Sequence, residues 1–92
     1  MLSIVEPATE EVLAEIPRAG TDEADAAVEQ ARRAFASWRA VEGAERAALL
    51  RALAEALDEK REELAALEAR NAGKPIGDAR GEIGRASCRE RV

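Results

Sequence analysis

Residues 44–75 read AERAALLRALAEALDEKREELAALEARNAGKP. Leu50, Leu53, Leu57, Leu64 and Leu67 recur within it at intervals of three, four, seven and three. A period of about 3.6 residues per turn places them on one face, so the spacing predicts a helix from about Ala44 to Arg70. Lys60 interrupts the stripe. Its stem can lie over apolar surface while the ammonium reaches water, so the helix is expected to run through it. Asn71 and Gly73 are left-handed cap candidates, and Pro75 makes continuation unfavourable. At about 1.5 Å per residue the helix would be roughly 40 Å long. That is too long for a compact globule of 92 residues, so the helix is expected to lie along something larger.

Upstream, Ala24, Val28, Ala31, Phe35 and Trp38 carry a second apolar face. Thr21 is the expected N-cap of that helix. Asp22 and Glu23 follow in the first turn, where carboxylates complement the unpaired backbone N–H groups. Before it, Pro17 and Gly20 punctuate the chain. The stretch from Leu2 to Ile16 reads as a strand, an acidic turn beginning at Pro7, and a second strand in which Val12, Ala14 and Ile16 alternate with Leu13 and Glu15. Downstream, Ile76 to Glu82 begins a third helical pattern that breaks at Ile83.

Composition narrows the function. Hydrophobic residues are 47% of the chain and aromatics 2%, Phe35 and Trp38 alone. The apolar content is mostly Ala and Leu, which favours helices. A chain this short buries only about 60–65% of its unfolded surface, which leaves little room for an enclosed active site. The net charge of -5 comes from 19 acidic and 14 basic residues interspersed along the chain. Phosphate binding needs a clustered basic face, so no nucleic-acid partner is expected. The only basic cluster is Arg85, Arg89 and Arg91 at the carboxyl end. No stretch approaches the roughly 18 apolar residues of a membrane span, and no signal peptide is visible. A single cysteine, Cys88, fits a reducing compartment, so the expected location is the cytoplasm.

No motif supplies a catalytic centre. The absence of histidine excludes imidazole triads and His-containing zinc sites. Gly73-Lys74-Pro75 is not a phosphate loop, because Glu68 stands at the first glycine place and Pro75 at the hydroxyl place. Gly77, Gly81 and Gly84 have the wrong spacing for a dinucleotide fingerprint and no preceding strand. Cys88 has no neighbouring base, and the carboxylates mostly read as solvated helix faces. No catalytic, cofactor-binding or metal residue is assigned.

Several short stretches nevertheless occur together in a recognisable order. They are Val5-Glu6-Pro7-Ala8-Thr9-Glu10-Glu11-Val12, Ala26-Ala27-Val28 through Phe35-Ala36-Ser37-Trp38, Glu45-Arg46, and Glu63-Leu64-Ala65-Ala66-Leu67-Glu68 leading to Gly73-Lys74-Pro75. In order and spacing they resemble the opening of the aldehyde dehydrogenase superfamily, from Ile4 to about Glu82. Glu6 and Glu10 depart from the family's usual Asn-Pro-Ala-Thr-Gly-Glu, standing in the Asn and Gly places. A side chain at a turn position that requires positive φ costs about 1 kcal/mol.

The resemblance implies an α+β piece, an amino-terminal β-hairpin followed by two long amphipathic helices, belonging to an α/β Rossmann-type enzyme. The implied parent oxidises a small aldehyde to an acid with NAD or NADP and is a homo-oligomer. In the family a cysteine thiolate attacks the aldehyde, hydride passes to the cofactor, and a glutamate activates the hydrolytic water. Those groups and the cofactor-binding residues lie downstream of the matching region, so this chain is expected to be inactive and to bind no cofactor. Some relatives hold a monovalent cation on backbone carbonyls of the segment matching Ile4 and Val5, but the acidic partner expected near Ile83 is missing.

The final ten residues, Ile83 to Val92, depart from that resemblance. They back-translate as ATC GGA AGA GCG TCG TGT AGG GAA AGA GTG, which resembles a short-read sequencing adapter. Residues 1–82 are therefore expected to be an incomplete amino-terminal segment, and 83–92 a non-native tail. The rival from another class is a stand-alone helical interaction module. Mutual burial of Phe35, Trp38 and the leucines would favour the rival, and a broad exposed apolar face the dehydrogenase segment.

Overall fold

The computed structural model describes residues 1–91, with side chains through Arg89. Two strands, β1 (Leu2–Val5) and β2 (Val12–Ile16), are followed by four helices: α1 (Thr21–Trp38), α2 (Gly43–Glu59), α3 (Arg61–Ala72) and α4 (Ile76–Arg91). The strands form an antiparallel pair with Leu2 opposite Ile16, Ile4 opposite Ala14 and Val5 opposite Val12. Leu13 is the extra residue of a bulge, which turns it inward to half-burial while Val12 and Ile16 stay exposed.

The turn between the strands is held by Glu6. Its N–H donates to the Glu11 carbonyl at 2.9 Å, and its carbonyl accepts from the Glu10 N–H at 2.8 Å. The Thr9 hydroxyl donates to the Glu6 carboxylate and accepts from the Glu11 N–H. Glu10 closes the turn at φ 61°, in the left-handed region. The departure from glycine at this position therefore carries the expected strain. Glu10→Gly should stabilise the hairpin by about 1 kcal/mol. Urea unfolding of the two proteins measures it, and an unchanged or lower midpoint for the variant would contradict the assignment of strain.

The cap of α1 falls at Gly20, one residue before the expected Thr21. Glu23 reaches back to the Gly20 N–H at 2.8 Å, a reciprocal cap for which Gly20 has no side chain to complete the pair. That contact, with the helix backbone, holds the Glu23 carboxyl below its ordinary range.

The predicted single helix over 44–70 is two. Lys60 leaves the helical region at φ -97°, ψ 10°, and separates α2 from α3. Hydrogen bonds from the Lys60 N–H to Ala56 and from the Leu64 N–H to Lys60 bridge the junction, so the chain bends without opening. Gly73 ends α3 in the left-handed conformation at φ 70°, as its position predicts. A Cβ there would meet the Pro7 ring at 3.3 Å, so the glycine also admits the hairpin. Pro75 then starts α4, accepting from the Asp78 and Ala79 N–H groups.

The pattern break expected at Ile83 is not a helix end, since α4 continues to Arg91. What carries it is a face of small residues that hydrophobic periodicity does not register. Ala54 of α2, Ala65 of α3, and Ala79 and Ser87 of α4 are the buried residues of the described chain. Ser87 donates to Asp58 at 2.5 Å. Gly84 lies under the Arg61 guanidinium, 2.8 Å from where a Cβ would stand. Small side chains let helix backbones approach closely, so the three helices pack through alanine, while Leu57 and Leu64 are half-buried and Leu50, Leu53 and Leu67 are exposed.

The result is flat and extended. The Cα positions extend over 48 × 35 × 14 Å. The radius of gyration is 17.1 Å, where a compact domain of this length would have about 12 Å. Leu50, Leu53 and Leu67 are exposed at 39%, 48% and 52%, and Phe35 and Trp38 at 58% and 41%. Helix α1 buries none of its residues. Domains bury apolar faces between packed layers, and these side chains find no such cover among the described residues.

Candidate functional site

The bulge, the turn and α3 together enclose one notable cleft. Ile4, Leu13, Ala14 and Leu67 form its apolar wall, Glu68, Arg70 and Asn71 its polar edge, and its volume is about 410 Å³. The α3 side chains reach it because Gly73 lets the hairpin lie against the helix end.

Arg70 fixes the hairpin to α3. Its Nε and Nη2 each donate to the Glu6 carboxylate at 3.3 Å, across 64 residues of sequence. A forked pair of this kind is geometrically specific. The Arg70 guanidinium, aided by the Thr9 hydroxyl, holds the Glu6 carboxyl below its ordinary value of 4.5. A depressed folded-state value means that the contribution is fully present above about pH 4.5 and is lost as the pH falls through the lowered value. Acidification should therefore loosen the hairpin from α3. Amide chemical shifts of residues 2–16 followed against pH report it. Glu6→Gln should remove that titration, and a titration that survives the substitution would contradict the assignment.

Lys74 and Glu82 form a second ion pair, between the loop before α4 and its second turn. Each moves the other, Lys74 upward and Glu82 downward. Arg80 pairs with Glu62 at 3.0 Å, and Arg61 donates to the Arg80 carbonyl. These contacts join α3 to α4 and present no reacting group.

The sequence candidates dismissed above remain apart from the cleft. Lys74 is engaged by Glu82. Gly81 and Gly84 lie inside α4 and Gly77 in its first turn, so they form no phosphate-cradling loop. Cys88 is exposed, as are Arg85 and Arg89, and the Arg91 side chain lies outside the described residues. No group of three or more potential metal ligands occurs among the described residues. The cleft and its Glu6–Arg70 clamp are not assigned in the sequence. The departure at Glu6 was visible, but nothing along the chain pairs it with Arg70.

The arrangement is a clamped hairpin against packed helices that leave several large apolar side chains exposed. The model of the aldehyde dehydrogenase family matches residues 1–89, past the expected end of the resemblance at about Glu82. The chain belongs to the aldehyde dehydrogenase family. It is 46% identical over 83 residues to a chloroplastic aminoaldehyde dehydrogenase of Arabidopsis thaliana, covering 85% of this chain and 17% of that protein. It is 40% identical over 82 residues to the glutarate-semialdehyde dehydrogenase of Pseudomonas putida, covering 89% and 17%. Among solved structures it is similar to glyceraldehyde-3-phosphate dehydrogenase GapN of Methanocaldococcus jannaschii complexed with NADP. The TM-score there is 0.91 at 31% identity, over 99% of this chain and 20% of that one. The chain thus spans about one sixth of the length of these curated aldehyde dehydrogenases. The family consists of NAD(P)-dependent oxidoreductases acting on aldehydes, and the expected α/β membership stands. The relatives differ in location, some being chloroplastic or peroxisomal. No helix among the described residues is long and apolar enough to cross a membrane.

Proposed function

We propose that this chain is the opening segment of a longer NAD(P)-dependent aldehyde dehydrogenase, and that its role is structural. It supplies a hairpin and a flat group of helices that the rest of the subunit covers. The observation that carries the reading is the apolar face. Phe35, Trp38, Leu50, Leu53 and Leu67 remain exposed in a slab 14 Å thick, where a stand-alone module would bury them in one another.

The complete enzyme oxidises a small aldehyde to a carboxylic acid, with NAD or NADP as hydride acceptor, as a cytoplasmic homo-oligomer. The 92-residue chain is inactive and binds no cofactor. Residues 83–92 are a non-native tail, a reading supported by the resemblance of a back-translation of Ile83 to Val92 to a sequencing adapter. In the complete enzyme α4 would then continue from Glu82 with different residues.

The test is a comparison of two proteins made from the source organism's DNA. The 92-residue chain should give no aldehyde-dependent formation of NADH or NADPH, and the full reading frame that contains residues 1–82 should give it readily. Turnover by the short chain, or none by the complete frame with any of a panel of aldehydes, would count against the proposal.

A further inference from the structure

We propose that the free 92-residue chain forms a two-fold dimer in which α1 packs antiparallel against α1 of a second copy.

The first observation is area. The chain exposes 7207 Å², whereas a folded monomer of 9.9 kDa would expose about 5200 Å². The excess, about 2000 Å², is spread over the whole chain, and a standard interface needs roughly 800 Å² of it per partner. Helix α1 contributes to it throughout, since all of its residues are exposed, Val28 at 61%, Phe35 at 58% and Trp38 at 41%.

The second observation is charge, and it selects the partner. The amino-terminal half of α1 carries Asp22, Glu23, Asp25 and Glu29, and the other half with its cap carries Arg32, Arg33 and Arg39. Glu29 pairs within the helix with Arg32 and Arg33 at 3.8 Å, and Glu23 caps Gly20, so Asp25 and Arg39, which flank the apolar seam, are the charges that complement a reversed copy. With Ala31 near the two-fold axis, Trp38 of each copy falls opposite the small Ala24 of the other. Asp25 falls close to Arg39, which is already held beside the apolar seam by its contact over the Phe35 ring at 5.9 Å. A two-fold interface uses the same patch on both copies, so each of these contacts occurs twice.

The dimer does not depend on the enzyme reading and fails separately from it. Sedimentation equilibrium of the 92-residue chain should give a mass rising with concentration to twice that of the monomer. Phe35→Lys should make the protein monomeric with its helix content retained by circular dichroism, because that side chain is exposed in the single chain. Asp25→Arg and Arg39→Asp should each weaken association about tenfold, and the double exchange should restore it. A monomer at every concentration would overturn the proposal, including one that associates only with the remainder of an aldehyde dehydrogenase. So would a dimer that neither Phe35→Lys nor the charge exchanges affect.

Discussion

Leu53→Ala is expected to change the stability of the 92-residue chain by no more than about 0.5 kcal/mol and that of the complete enzyme by about 2–5 kcal/mol. The difference follows from where the side chain lies. Leu53 is 48% exposed on α2, so truncating it here removes little buried contact and opens no cavity. Beneath the rest of a dehydrogenase subunit the same side chain would be enclosed, and its removal would forfeit both transfer free energy and packing. Leu67, 52% exposed on α3, should behave in the same way. Paired denaturation curves of short chain and complete enzyme, each with and without the substitution, give the contrast. Equal small effects in both would mean that this face stays open in the enzyme.

Ala65→Leu should have the opposite profile, costing about 1–3 kcal/mol in the short chain itself. Ala65 has no exposed surface, and it sits in the small-residue core that α3 shares with Ala54, Ala79 and Ser87. Three added carbons have no space there unless α4 moves away from α2 and α3. A core of four small residues has little stability in reserve, so the loss should show as weakened cooperativity and early protease cleavage. Ala66→Leu, one residue along on the exposed side of the same helix, is the control and should be close to neutral. Equal effects of the two substitutions would show that α4 does not pack as described.

The sequence was most legible where local chemistry decides local structure. Gly73 at positive φ, Asp22 and Glu23 in the first turn of α1, and the paired strands around Pro7 all follow from the backbone demands of single residues. The strain at Glu10 was readable for the same reason. The break at Lys60 was not, because the leucine stripe continues on both sides and hydrogen bonds span the junction. Only one pair of dihedral angles changes there. The continuation of α4 past Ile83 escaped because its buried face is Ala79 and Ser87, which carry no hydrophobic signal. The same cause hid the core, since hydrophobicity ranks leucine above alanine, whereas close helix approach selects alanine. The Glu6–Arg70 clamp joins residues 64 apart and became visible only when the hairpin was seen against α3.

Exposed leucines over a buried alanine core separate the two functional readings. An independent module would place its largest apolar side chains between its own helices. This chain half-buries Leu57 and Leu64 but keeps Phe35, Trp38, Leu50, Leu53 and Leu67 on the outside, as a segment of a larger subunit would.

The most direct test is to amplify the locus from source DNA and sequence across the codons for Arg80 to Val92 and well beyond. The account predicts that the native frame departs from this chain after Glu82 and continues into the remainder of an aldehyde dehydrogenase, including its nucleotide-binding residues and catalytic cysteine. A native sequence that encodes Ile83 to Val92 as they stand here, followed directly by a stop codon, would contradict it.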